Sequence, residues 1–173
     1  MLDLFPVALV LSLQASYPEN GMSLDSENKT MHKIFGIEEK AEYYTRKGAY
    51  LIPIKDGKIA VAETPKGFFL LGGGIEPGES EPEAIVRECM EEVGCIATVD
   101  RLYATAEAYT VHPRKAFFHP VQSYYLGSIS VPVCTPKEDD HKLLWLSFDE
   151  IYGRMFSQMQ NWAIKVCWEE VNK

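Results

Sequence analysis

Apolar positions along this chain switch between two periods, and the switches outline its elements. From Glu42 onward the pattern is strand-like: Tyr43 and Tyr44 open a run, and Gly48 to Ile54 (GAYLIPI) is apolar and β-rich. The turn Lys55-Asp56-Gly57-Lys58 leads into Ile59-Ala60-Val61-Ala62-Glu63, a hairpin signal through Asp-Gly. Pro65-Lys66-Gly67 predicts a second turn, with a short buried strand from Phe68 to Leu71 after it. A helical period then takes over in Ala84, Ile85, Val86, Cys89, Met90 and Val93, the stripe of a helix packed on a sheet.

That helix has the best-marked ends in the chain. Ser80 is a good N-cap, and Glu83 three residues later completes a capping box. Pro82 falls in the first turn, where its missing N–H does no harm, and Gly94 stands where a left-handed residue ends a helix. The spacing predicts a helix from Ser80 to Val93.

Beyond it, Ala97 to Val111 reads as one long strand, Pro113-Arg114-Lys115 as a turn, and Phe117 to Val131 as the antiparallel return. Pro132 to His141 (PVCTPKEDDH) predicts an acidic loop, and Lys142 to Leu146 a short strand. Ser147 caps a helix with an acidic first turn, and an amphipathic helix covers about Ser157 to Val171. Helices set between groups of strands predict an α/β fold, a mixed sheet covered on both faces.

The 173 residues suit one domain of ordinary size, placed at 31–173, with 46% hydrophobic and 24% charged residues. A formal net charge of −8 removes the basic footprint that duplex nucleic acid requires. Phosphorylated small molecules stay within reach if a cation bridges the two negative parties. Cys89, Cys95, Cys134 and Cys167 form no CxxC pair and point to reduced thiols in a cytoplasmic protein. Residues 1–30 read as an extension or linker. Its apolar run Leu4 to Leu13 is too short to span a bilayer. An export signal, a docking segment and an over-extended start, with Met22 or Met31 as the natural one, stay open; Asp3 and the lack of a preceding Lys or Arg oppose the first.

Chemistry concentrates on the capped helix. Glu88, Glu91 and Glu92 lie three and four residues apart, so their side chains share one arc and repel each other. Arg87 stands four before Glu91 and four after Glu83 and can pair with either. Most charge runs on helices are solvated faces. Here Gly72-Gly73-Gly74 and Pro77-Gly78 predict a tight turn before the cap, closed by Glu79, where backbone can approach a ligand closely. Carboxylates and a loop carbonyl form the hard oxygen set that Mg²⁺ or Mn²⁺ prefers.

The run GGIEPGESEPEAIVRECMEEVGC resembles the Nudix box at each of its nine specified positions: Gly73, Glu79, Arg87-Glu88-Cys89, Glu91-Glu92 and Gly94-Cys95. Cysteine in both apolar slots is the one loose feature. The resemblance implies a Nudix-type α/β/α sandwich with the box loop and helix at the active site. It also implies a metal-dependent hydrolase that cleaves a pyrophosphate bond in a nucleoside diphosphate derivative. It makes Glu88, Glu91, Glu92 and the Gly73 carbonyl the metal ligands, with Glu88 or a neighbouring glutamate as general base. Arg87 orients Glu88 or Glu79, and Glu79 is the supporting acid. A further acid is expected from across the cleft: Glu138 first, then Glu107, Asp139, Asp140 or His141. Tyr103, Tyr109, Phe117, Phe118, Tyr124 and Tyr125 are candidates for a base-stacking platform, with cross-strand packing the plainer reading of each. Arg114 and Lys115 are candidates for a phosphate contact. Nucleoside triphosphates, oxidised nucleotides and nucleotide sugars stay open as substrates. So do a nucleotide-binding regulatory module without turnover and a homodimer through the aromatic strands. No membrane partner is expected.

Overall fold

The computed structural model describes residues 30–112 and 116–171. The apolar run Leu4 to Leu13, the linker after it and the Pro113-Arg114-Lys115 turn lie outside the described residues. In chain order the elements are β1 (Met31–Phe35), β2 (Tyr44–Lys55), β3 (Lys58–Thr64), β4 (Gly67–Phe69), β5 (Leu71–Gly74) and α1 (Glu81–Val93). There follow β6 (Ala97–Ala108), β7 (Thr110–His112), β8 (Ala116–Ile129), β9 (Lys142–Ser147), α2 (Phe148–Ile151) and α3 (Gln158–Val171).

Strand β2 organises the sheet. It runs parallel to β8, from Tyr44 opposite Phe118 to Pro53 opposite Gly127. On its other side Gly48–Leu51 pairs antiparallel with β5, and its last residues turn back into β3. β3 carries β4 and β9, and β8 carries β6 and β7. The sheet is mixed, as the pattern predicts.

Strict alternation assigns each strand's side chains to one of two cores. Ala49 and Leu51 of β2, Ala60 and Ala62 of β3, and Leu143 and Trp145 of β9 join Ile85, Cys89 and Val93 of α1. Their neighbours Ile52, Ile59, Val61 and Leu144 face the other way, onto Met159, Ala163, Ile164 and Cys167 of α3. The result is an α/β/α sandwich. Ile85 has no exposed surface, so trimming it to alanine would cost about 2–5 kcal/mol.

Several elements differ from their sequence-based outlines. β1 was not visible in the pattern; it pairs parallel with β6, Met31 against Ala104 and Phe35 against Ala108. The predicted Phe68–Leu71 strand splits at Leu70, whose N–H bonds the Gln160 side chain instead of a strand. The segment Gly72–Gly74 is not a turn but part of β5. Gly72 sits at φ +131°, where a Cβ would lie 2.3 Å from the Ala49 carbonyl, so only glycine lets β5 approach β2. The long Ala97–Val111 strand breaks at Tyr109, whose N–H bonds the Phe35 carbonyl. The return strand ends at Ile129, and the helix opened by Ser147 is a single turn. Among the described residues no helix is long and apolar enough to cross a membrane.

Candidate active site

Helix α1 carries both caps that its sequence predicts. The Ser80 side chain accepts from the Glu83 N–H, and the Glu83 carboxylate accepts from the Ser80 N–H at 2.8 Å. Glu83 is thereby occupied, and Arg87 turns to other partners. Gly94 adopts φ 68°, and a Cβ there would lie 2.2 Å from the Cys134 carbonyl. Glycine thus serves both the helix end and the close packing of the 132–141 loop. That loop is tied to the last turn: the N–H groups of Lys137 and Glu138 both donate to the Glu91 carbonyl, and Val133 N–H donates to Gly94.

Each glycine of β5 meets a different charged side chain of the site. Gly72 N–H donates to Glu92 Oε2 at 3.1 Å. A Cβ on Gly73 would lie 2.6 Å from Glu88 Oε1. The Gly74 carbonyl accepts from Arg87 Nη2 at 3.0 Å, and Arg46 packs on its other side.

Arg87 spreads its guanidinium over the acids. Nε and Nη2 grip both oxygens of Glu79 at 2.8 and 2.9 Å, while Nη1 reaches Glu88 Oε1 at 2.8 Å and Glu91 Oε2 at 3.5 Å. Glu79 also accepts from the Glu76 N–H. This two-point grip holds the Glu79 carboxyl down at about 2. Glu91 is bound on its other side by the Lys137 ammonium.

Glu92 is the odd acid. It is 8% exposed, and loss of water pushes its carboxyl up to about 8, with Glu88 and Glu138 adding to the rise and the Gly72 N–H opposing it. His141 Nε2 lies 3.7 Å from Glu92 Oε1, and its other ring nitrogen meets Asp140 at 2.9 Å. Glu138, Asp140 and His141 bring ligand atoms within 4.8 Å of one another. Glu88, Glu92, Gly72, Gly73, Gly74, Asp140 and His141 line a cleft of about 310 Å³ together with Arg46, Tyr50, Thr64, Lys66 and Phe69. A depression of about 350 Å³ between Lys55, Lys58, Ile129 and Trp145 contains none of these acids.

The expected loop acids part company here. Glu138, Asp140 and His141 stand beside Glu92, whereas Glu107 lies elsewhere, taken by His119 Nε2 at 2.7 Å and His32 Nε2 at 3.4 Å. Five of the six aromatic candidates take the plainer role, packing in or on the sheet. Tyr103 and Tyr124 are core residues, Tyr125 bonds Glu81, and Tyr109 and Phe117 pack against Tyr43. Phe118 alone of the six lines a second pocket, of about 250 Å³, which shares Arg46, Tyr50 and Phe69 with the cleft. Phe156, stacked on Phe69 at 5.0 Å, was not foreseen and lines it too. Nor were Arg46, Lys66 and Lys137 singled out; their signal, positive residues flanking apolar strands and acids, is too common to read.

An α/β/α sandwich with a braced acidic helix at the mouth of a cleft defines the class. The NUDIX domain model matches residues 45–166, and the chain belongs to that family. CTP pyrophosphohydrolase from Escherichia coli (strain K12) is 42% identical over 57 residues, 30% of this chain. The match spans 42% of that relative's length. The MutT NUDIX hydrolase of Burkholderia pseudomallei is 24% identical with a TM-score of 0.52, covering 61% of this chain and 85% of its own. A NUDIX hydrolase from Nitrosomonas europaea has a TM-score of 0.60 at 19% identity, over 75% of this chain and 91% of its own. These likenesses show the fold.

Proposed function

We propose that this chain is a divalent-cation-dependent pyrophosphohydrolase acting on nucleoside diphosphate derivatives, its domain running from Met31 to the C-terminus. The observation that carries the reading is the meeting of Glu88, Glu92 and the Gly73 backbone with Asp140 and His141 in one cleft. Glu91 lies one residue away and is held by the same Arg87.

The donor set fits Mg²⁺ or Mn²⁺, because carboxylate and carbonyl oxygens are the ligands such hard cations take. Gly73 leaves free the space that a Cβ would occupy against Glu88. Glu92, cut off from water, becomes a good anion only beside a positive partner. When bound, the cation neutralises the diphosphate and acidifies a water molecule. The protein does the rest. Arg87 fixes the Glu88 carboxylate, which accepts the proton of the attacking water. Glu79 anchors Arg87 from the far side. Arg46 and Lys66, which line the same cleft, take up phosphate charge. The adjoining pocket, walled by Phe69, Phe118 and Phe156, seats the base. Buried free thiols at Cys89, Cys95 and Cys167 suit a cytoplasmic setting.

The test is product release from a nucleotide panel with Mg²⁺ or Mn²⁺, scored by the bond broken. Turnover that needs the cation supports the reading. Tight binding with no turnover of any member would mark a sensor instead.

A further inference from the structure

The second pocket carries a recognition pattern of its own. Gln160 is 1% exposed, and its Oε1 accepts the Leu70 N–H at 2.9 Å. A backbone N–H can only donate, so the atom facing it is the amide oxygen, and the NH₂ group points the other way. No side-chain nitrogen or oxygen among the described residues is both sealed from solvent and without a partner. The Gln160 NH₂ therefore opens onto the pocket that this residue lines.

Gln122, which lines the same pocket, is oriented in a similar way. Its Oε1 accepts the Tyr124 hydroxyl at 2.5 Å, and Tyr124 is fully buried. With its oxygen taken by that hydroxyl, the Gln122 NH₂ lies on the other side of the amide. The third side-chain oxygen of this kind, Ser157 Oγ, accepts the Met159 N–H. No carboxylate lines the pocket, and Arg46 and Lys47 add only donors. The Tyr50 and Ser157 hydroxyls can act either way.

On the pyrophosphohydrolase reading, we infer that this pocket selects the base by its acceptors, with Gln160 and Gln122 as the specificity-determining residues. Two NH₂ donors fit a base edge with two acceptors side by side. Cytosine offers O2 and N3, and guanine offers O6 and N7. Adenine places its amino group next to N1 and N7 on both edges, so one glutamine donor would face another donor. A buried donor left without a partner is rejected strongly.

The test compares kcat/KM for CTP, GTP and ATP in the full chain with Mg²⁺. CTP or GTP should exceed ATP by about tenfold or more, and the ratio of CTP to GTP identifies the edge read. Gln160→Glu keeps the acceptor for Leu70 and replaces the donor by a second acceptor, so the preference over ATP should fall by about tenfold. Gln122→Glu makes the same exchange at a less buried position, and Gln160→Met removes the donor without adding charge. These two carry the test if Gln160→Glu does not fold. Equal rates for the three nucleotides, a preference for ATP, or variants that slow all three alike would overturn the inference while leaving the hydrolase standing. A wild-type chain that cleaves none of the three but turns over another nucleoside diphosphate derivative overturns the inference alone, and one that cleaves no member of the panel defeats both.

Discussion

A Cβ on Gly73 would stand 2.6 Å from Glu88 Oε1, inside any real contact distance. Gly73 pairs with Ala49 in the sheet and needs no positive φ, so alanine can be accommodated by the backbone. The carboxylate must move instead. Gly73→Ala should therefore leave the melting temperature within a few degrees and lower kcat by about 100-fold, as misplacement of a reacting group by an ångström does. Circular dichroism melts beside steady-state rates separate the two effects.

Glu91→Gln and Glu92→Gln should abolish turnover with the fold intact. For Glu92 the structure adds a sharper expectation. Glutamine keeps an acceptor for the Gly72 N–H and removes a charge that burial disfavours. The variant's thermal midpoint in the absence of divalent cation should equal or exceed that of the wild type. Unchanged turnover in both variants would sink the site.

Lys137 holds Glu91 with its ammonium group and competes there with any cation. The lysine is well exposed, so the competition is worth no more than an ordinary surface pair. Lys137→Ala should tighten Mn²⁺ binding by about two- to fivefold, read by titration of the free-ion paramagnetic signal. Lys142, which faces Glu63, supplies the control for a simple change in net charge; its alanine variant should bind as the wild type does.

Arg87 sets an acid limit on the fold. The folded Glu79 carboxyl titrates at about 2, below the 4.5 of an unperturbed glutamate. Its contribution is complete above about 4.5 and disappears as pH falls toward 2. Denaturant midpoints measured from pH 5 down to pH 3 should drop less steeply in Glu79→Gln than in the wild type. Parallel slopes would refute the pairing as a source of acid sensitivity.

What could be read in advance was local. The Ser80–Glu83 box and Gly94 act within a few residues of their own helix, and all three stand where the spacing puts them. The mixed sheet covered on both faces followed from helices set between groups of strands, and the resemblance of the box implied the α/β/α sandwich. Long-range geometry was hidden. β1 pairs with residues more than 70 positions away and has an exposed, unpatterned sequence. Three glycines in a row argue against a strand on propensity, and only the neighbouring backbone of β2 makes them one. Glu107 misled because its place depends on strand order, which a sequence does not print: β8 stands between β6 and the β2–β5 pair that borders the cleft. The carboxylate is also taken by His119 and His32, two partners far from it in sequence. Gln160 gave no signal at all, since its value lies in which of its two amide atoms Leu70 occupies.

The backbone bonds from Lys137 and Glu138 to Glu91 make the acidic loop a rider on helix α1 rather than a free flap. The loop and helix form one jaw, and its teeth keep their spacing whatever the jaw does. The Thr64–Gly67 turn lines the same cleft with no such tie among the described residues, its two side-chain hydrogen bonds staying within the turn itself. Amide hydrogen exchange should be faster in that turn, a stretch that carries none of the acids, than at Lys137 and Glu138.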